Sequence, residues 1–365
     1  MELKHVAILG VCLLTHLTIL HPSIPRRRAS LSELTLAKTQ AGGNVGNTII
    51  TELLKDGARF TITAITRSTS SYTPPFTAIT HRTVDYTSFS SLQAAFQGQD
   101  AVVNCVTGGA THYEPSKLII DAAVAAGVKF FFANEFVGDI TRKEFKRLPE
   151  AFVGSKCRIR EYLEELGMEK KLTWASLNGG PFFDMWLMKG PAGFDIPNQH
   201  ARIYGAGNEP LYWTPLSTIG LAAGNMLRNP LPIANQPILI CPFPHLTQNM
   251  LLRTLEKLLD TSFSVEHVDV EKIHRHALVV LEKWKEGGEQ EAGKAQMGKA
   301  VKGLAISNQF YGGEDDVKHL GQAVQNEIVG VKTVQVEDAV RDALEHYGKE
   351  CQVVQRMFNV EACDI

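Results

Sequence analysis

The sequence is poor in the features that mark several protein classes. Its six cysteines (Cys12, Cys105, Cys157, Cys241, Cys351 and Cys363) are scattered. None form a Cys-x-x-Cys pair, which argues against a zinc site or a disulfide framework and for reduced, intracellular thiols. His200, His245, His267, His274 and His276 show no ligand spacing either, so no metal is expected. No charge of one sign dominates. The net charge of −2 gives no global field for nucleic acid or an anionic membrane. Long apolar runs are missing too. Val6 to Leu20 comes nearest: with Lys4 before it, it admits a signal-peptide core, but it is too short and too broken by Thr and His for a membrane span. What remains is an ordinary globular composition, 44% hydrophobic and 21% charged over 365 residues, enough for one large domain or two moderate ones.

Strand and helix signals alternate through the first half. Val6 to Leu9, Phe60 to Ile65, Thr83 to Asp85, Ala101 to Val106, Val128 to Ala133 and Leu172 to Leu177 read as strands. Helical stretches lie between them: one after Gly46, then Leu92 to Phe96, Leu118 to Ala126, and one from about Ser155 to Leu166. This alternation predicts an α/β fold with a doubly wound parallel Rossmann-type sheet. After Gly180 the chain turns aromatic and irregular. Short strands and turns through Trp213 are followed by helices at Thr218 to Leu227 and, capped by Thr247, to about Leu259. The last third is largely helical, with a polar stretch from Lys283 to Lys299. The expected domains are residues 1–185 for nucleotide binding and 186–365 as a smaller C-terminal α/β substrate domain, partly packed back on the first.

The glycine motif is interrupted. Joining Gly10 to Ala41 gives Val-Ala-Ile-Leu-Gly-Ala-Gly-Gly-Asn-Val-Gly, a strand entering a G-x-x-G-x-x-G turn and then a helix. Gly10 would permit the turn, Gly43 would let backbone approach a pyrophosphate, and Gly46 would let helix and strand pack closely. Asn44 and Val45 complete the loop, and the helix start offers N–H groups to phosphate. Thirty residues, 11 to 40, separate the halves. Closing such a loop costs about 3 kcal/mol by the logarithmic rule, so the fold tolerates it more easily than the tight turn does. The segment reads as a retained intron. It is a whole number of codons, and Val11-Cys12, Leu34-Thr35 and Gln40 admit codons resembling a 5′ splice site, a branch point and a 3′ splice end. A genuine insertion and a signal anchor are the rival readings.

The second strand ends in Thr66-Arg67-Ser68 rather than in the acidic residue that binds an NAD ribose. Arg67 can pair with a 2′-phosphate, with the two hydroxyls adding bonds, which favours NADPH. Thr107, after the fourth strand, joins the expected cofactor set.

These residues carry a family resemblance. Asn44-Val45-Gly46, Thr66-Arg67, Asp121-Ala122-Ala123 with Ala126-Gly127-Val128-Lys129, Asn134-Glu135-Phe136, Lys156 with Arg160-Glu161-Tyr162-Leu163, Gly180-Pro181-Phe182-Phe183-Asp184 and Leu246-Thr247-Gln248-Asn249 resemble the isoflavone reductase-like, NmrA-like branch of the atypical short-chain dehydrogenases. The resemblance spans most of the chain outside residues 11 to 40. It implies that Lys156 is the general acid/base or a cofactor-orienting group, and that Arg160 binds cofactor or positions Lys156. A lysine in a partly desolvated cleft can move protons near neutrality. Phe152 stands four residues before Lys156, so the Tyr-x-x-x-Lys pair of typical short-chain dehydrogenases is absent. The chain also has Asn134-Glu135-Phe136-Val137 where the family has Ser-Glu-Phe-Gly, with Gly138 one place later.

Other features admit a functional reading beside a packing one, and an aromatic cluster is more often plain core. His112 and Tyr113 follow the fourth strand and are either cleft residues or plain loop. Phe182, Phe183, Trp186 and Trp213 form either an aromatic pocket or core. Two functions follow: an NADPH-dependent reductase of a small, aromatic or conjugated metabolite, or a catalytically silent NADP(H) sensor that binds a protein partner. Neither requires nucleic acid or membrane, and both fit a cytoplasmic protein.

Overall fold

A computed structural model describes residues 1–11, 44–74, 76–142, 154–287, 291–311 and 324–363. Most of the proposed insertion (residues 12–40), Gly43, Phe152 and residues 288–290 of the polar stretch lie outside the described residues. The chain divides, apart from Met1, into two compact units, Glu2–Phe132 and Ala133–Ile365.

The first unit is built from uninterrupted apolar strands. β1 (His5–Leu9), β2 (Thr61–Arg67), β4 (Ala101–Asn104) and β5 (Phe130–Ala133) are buried along nearly their whole length. Strands covered on both faces need no polar alternation, which is why they read as continuous hydrophobic runs. β3 (Ile79–Val84) begins earlier than Thr83, because its exposed positions carry Thr80, Arg82 and Thr83, with His81 half-buried between them, and these hide the strand signal. Pairing is parallel throughout, with Val6 opposite both Ile62 and Ala101. Helices α1 (Asn44–Leu54), α2 (Phe89–Phe96) and α3 (Tyr113–Ala125) supply the crossovers. Ser88 caps α2, its hydroxyl accepting the Ser91 N–H at 3.3 Å.

The second unit contributes β6 (Thr173–Asn178), preceded by the helix Ser155–Met168. It also contains β7 (Phe194–Asp195), β8 (His200–Tyr204), β9 (Gln236–Leu239) and β10 (Ser264–Val268). The main sheet has seven strands in the order β3-β2-β1-β4-β5-β6-β9. Its first six places follow the Rossmann order, which reverses direction between β1 and β4. A separate three-stranded sheet runs β10-β8-β7. β9 and β10 escape the sequence pattern. β9 is four residues long with Pro237 inside it, and β10 is exposed at four of its five positions, so neither shows an apolar period.

The aromatic residues after Gly180 resolve largely as core. Phe183 and Trp213 are fully buried. Trp186 packs on Trp213 with ring centroids 5.3 Å apart, and the Trp213 indole N–H donates to Gln309 Oε1 at 3.1 Å. The helices Leu216–Arg228 and Gln248–Leu259 stand where expected, and the Thr247 hydroxyl accepts the Met250 N–H at 3.2 Å. Residues of the polar stretch lie in the helices Val270–Gly287 and Glu291–Phe310. Among the described residues, no helix is long and apolar enough to cross a membrane.

Candidate functional site

Two groups of predicted site residues stand in the two units. The first group surrounds the end of β1. Gly10 has a φ of +79°, and a Cβ on it would lie 2.3 Å from the Cys105 carbonyl oxygen. Only glycine fits there, on both counts. Its N–H donates to Ile65 O at 3.2 Å and to Tyr86 Oη at 3.3 Å. The Tyr86 hydroxyl donates in turn to Ile65 O at 3.2 Å. Gly46, in the first turn of α1, is where helix meets strand. A Cβ there would sit 3.3 Å from Val11 Cγ2 and 3.5 Å from Ile8 Cγ2. The two flanks of the interrupted motif therefore converge at the β1 end. Asn44 and Val45 begin α1.

Beside this turn, Arg67, Ser68, Asp85, Tyr86, Thr87 and Thr107 line a cavity of about 420 Å³. Arg67 and Ser68 are exposed at the end of β2. Thr66 is not available there: it is buried, and its hydroxyl is hydrogen-bonded to His81 Nε2 at 2.9 Å. Only Ser68 of the two flanking hydroxyls joins Arg67. Asp85 brings a carboxylate whose pKa is lowered by the hydrogen bonds of the Thr87 hydroxyl and N–H. Tyr86, Thr87 and Asp85 had no signal in the sequence. His112 is exposed at the N-cap of α3 and does not belong to this lining.

The second group lies in Ala133–Ile365. Lys156 is only 7% exposed although it carries an ammonium. It projects from the first turn of the helix Ser155–Met168, and Nζ donates to the Asn134 carbonyl. Burial pulls its pKa down from 10.5 to about 8, while the Glu135 carboxylate opposes that fall. Arg160, one turn on, is gripped by Glu135. Nε donates to Oε1 at 2.9 Å, and Nη2 donates to Oε2. Burial works against the guanidinium charge, but the Glu135 hydrogen bond and charge outweigh it and hold the pKa above the ordinary value. Asn178, at the end of β6, donates from Nδ2 to Glu135 Oε2 at 2.8 Å and to Gly138 O at 3.1 Å. Phe136 follows with a φ of +39°, rare for a side chain with a Cβ, and its N–H donates to Leu177 O at 3.0 Å. The roles of Glu135 and Asn178 were missed. Glu135 was visible only as part of a motif.

The residues present fit a dinucleotide. Gly10 follows β1 where the strand order reverses, α1 starts at Asn44 with Gly46 close against Ile8 and Val11, and a cation stands at the end of the second strand. The fold and this site define a Rossmann-type nucleotide-binding protein.

Comparison with known proteins narrows the class. A family profile described as NAD(P)H-binding matches residues 41–185. Oxidoreductase aprR of Aspergillus flavus is 33% identical over 243 residues, covering 67% of this chain and 80% of that protein. Oxidoreductase poxI of Penicillium oxalicum is 31% identical over 262 residues, covering 70% and 79%. Among solved structures, an isoflavone reductase aligns with a TM-score of 0.57 at 20% identity, covering 94% of this chain and 95% of that one. An NADPH-dependent quinone oxidoreductase of Escherichia coli, complexed with NADPH, aligns at 0.57 and 18%, covering 92% and 99%. The chain belongs to the same family as the oxidoreductases aprR and poxI, and it shares its fold with isoflavone reductase and with the NADPH-dependent quinone oxidoreductase.

Proposed function

We propose that this protein reduces a small aromatic or conjugated metabolite with NADPH, and that Lys156 provides the proton. The observation that carries the reading is the state of Lys156, a buried ammonium whose pKa of about 8 lets it hold a proton at neutrality and release it readily. NADPH, when bound, supplies the hydride. In this reading Gly10, Gly43, Asn44, Val45 and Gly46 cradle the pyrophosphate and Thr107 adds a hydroxyl. Arg67 and Ser68 take the 2′-phosphate, and Arg160 holds the Lys156 helix through Glu135. Residues 1–185 then serve the nucleotide, residues 186–365 the substrate, and residues 11–40 neither. The solved structure of AtPrR2 with NADP+ and (+)pinoresinol supports a small aromatic substrate by fold analogy. The scattered cysteines, which form no Cys-x-x-Cys pair in the sequence, support a cytoplasmic location.

Steady-state NADPH oxidation against a panel of aromatic enones and ethers tests this. Turnover by the native chain and its loss in Lys156→Ala, with NADPH binding kept, is the expected result. Unchanged turnover in Lys156→Ala removes the role given to the lysine. A chain lacking residues 11–40 should bind NADPH at least as well as the full one by fluorescence titration, and loss of binding would make the segment part of the site. A second reading, a silent NADP(H) sensor with a protein partner, is favoured by one observation: the Lys156 ammonium is already engaged by the Asn134 carbonyl. NADPH binding with no turnover across the panel would select it.

A further inference from the structure

The segment Asn134-Glu135-Phe136 is held more firmly than a surface loop requires. Glu135 is 3% exposed and carries a charge. Its two oxygens are filled by three donors: Arg160 Nε on Oε1, with Arg160 Nη2 and Asn178 Nδ2 on Oε2. Asn178 is itself oriented, because Ser176 Oγ donates to its Oδ1 at 3.2 Å. The backbone is fixed on either side of that carboxylate. Glu135 N–H donates to Ala133 O at 2.9 Å, and Phe136 N–H donates to Leu177 O at 3.0 Å. The carbonyl immediately before Glu135 is the one that accepts from Lys156. Burying an ion pair of this kind gives little net stability against an apolar replacement, so stability alone does not account for it.

We propose that Glu135 is a positioning residue for Lys156: anchored by Arg160 and Asn178, it sets the Asn134 carbonyl that holds the lysine ammonium, and its charge keeps that ammonium protonated. The inference rests on the reading of Lys156 as proton donor, and it gives Arg160 and Asn178 a task one step removed from the proton. Among the described residues, the charges acting on the cluster are Glu135, Asp139 and Glu164 against Lys156 and Arg160. Loss of the Glu135 charge leaves Lys156 facing burial without its counter-charge and beside an unpaired guanidinium. Both effects disfavour the ammonium.

The test reads Lys156 directly and needs no substrate. Competitive acetylation of the full chain across pH, resolved by mass spectrometry, gives for each lysine a titration midpoint and a limiting reactivity. In Glu135→Gln, nearly isosteric but uncharged, the Lys156 midpoint should fall by about one pH unit or more. In Glu135→Asp, which keeps the charge but is one methylene too short to reach both partners, the midpoint should hold near the native value. The limiting reactivity of Lys156 should there rise several-fold as the ammonium leaves Asn134. NADPH affinity and the acetylation of the other lysines should stay as in the native chain. A native midpoint in Glu135→Gln, or a native limiting reactivity in Glu135→Asp, overturns the assignment. If Glu135→Gln does not fold, Asn178→Ala removes one anchor and keeps the ion pair. Lys156 reactivity should still rise, and an unchanged value overturns the proposal. Because acetylation reports on the lysine whether or not it is catalytic, these results stay separate from the turnover of Lys156→Ala.

Discussion

The alkaline limb of the pH profile is the sharpest consequence of the Lys156 environment. Burial lowers its pKa from 10.5 to about 8. A lysine acting as proton donor must be protonated when the productive complex forms. At pH 7 about nine-tenths of the enzyme would carry that proton, and at pH 9 about one-tenth. Activity, followed as kcat/KM for NADPH-dependent reduction at saturating NADPH, should be level below about pH 7.5 and fall about tenfold per unit above pH 8.5. An ordinary surface lysine would hold the plateau to about pH 10. Lys156→Ala should lower kcat about 100- to 10,000-fold and abolish the limb. Lys156→Arg keeps the charge but does not release the proton, so it should resemble Lys156→Ala. The same shift acts on stability with a definite sign. The folded pKa lies below the unfolded one, so between pH 8 and 10.5 the unfolded chain binds more protons and stability rises with pH. The charged form costs roughly 3 kcal/mol, relieved across that window. Lys156→Met should remove this slope from urea-unfolding free energies measured across the same range. A plateau extending to pH 10, or a limb that survives in Lys156→Ala, would refute the reasoning.

Three further outcomes follow from particular contacts. Gly10→Ala places a methyl 2.3 Å from a backbone oxygen at a φ of +79°, so melting should fall by about 5 °C or more and NADPH titration should show weakened binding. Arg67→Ala should weaken NADPH binding about ten- to a hundredfold and leave NADH binding nearly unchanged. Equal losses for both nucleotides in the same titrations would mean that Arg67 does not read the 2′-phosphate. Glu135→Ala strands the Arg160 guanidinium in a buried site, and urea unfolding should register a loss of about 3–5 kcal/mol.

What the sequence discloses here is mostly what the backbone demands. The runs that become β1, β4 and β5 are legible because two-sided burial leaves no place for polar alternation. Gly10 and Gly46 are legible because a turn and a close helix approach admit little else. Arg67 is legible from its distance along the second strand. Partner choice among polar atoms is a different matter. Thr66 and Ser68 look alike on either side of Arg67, yet Thr66 still lies within β2 and is buried, whereas Ser68 stands just past the strand end and is exposed. His81 on β3, whose own register partner is Ala64, two places back from Thr66, is hydrogen-bonded to the Thr66 hydroxyl. Phe183 and Trp213 suit a pocket or a core equally by type, and tertiary packing decided for core. Glu135 finds Arg160 and Asn178 at separations of 25 and 43 residues, across contacts that no local period encodes. The turn that makes this possible passes through Phe136 at positive φ. A glycine there would have advertised the conformation. Phenylalanine conceals it, because its intrinsic preference lies on the other side of the map and only the surrounding hydrogen bonds hold it where it is. A site residue that depends on such a turn becomes legible only when the fold is known.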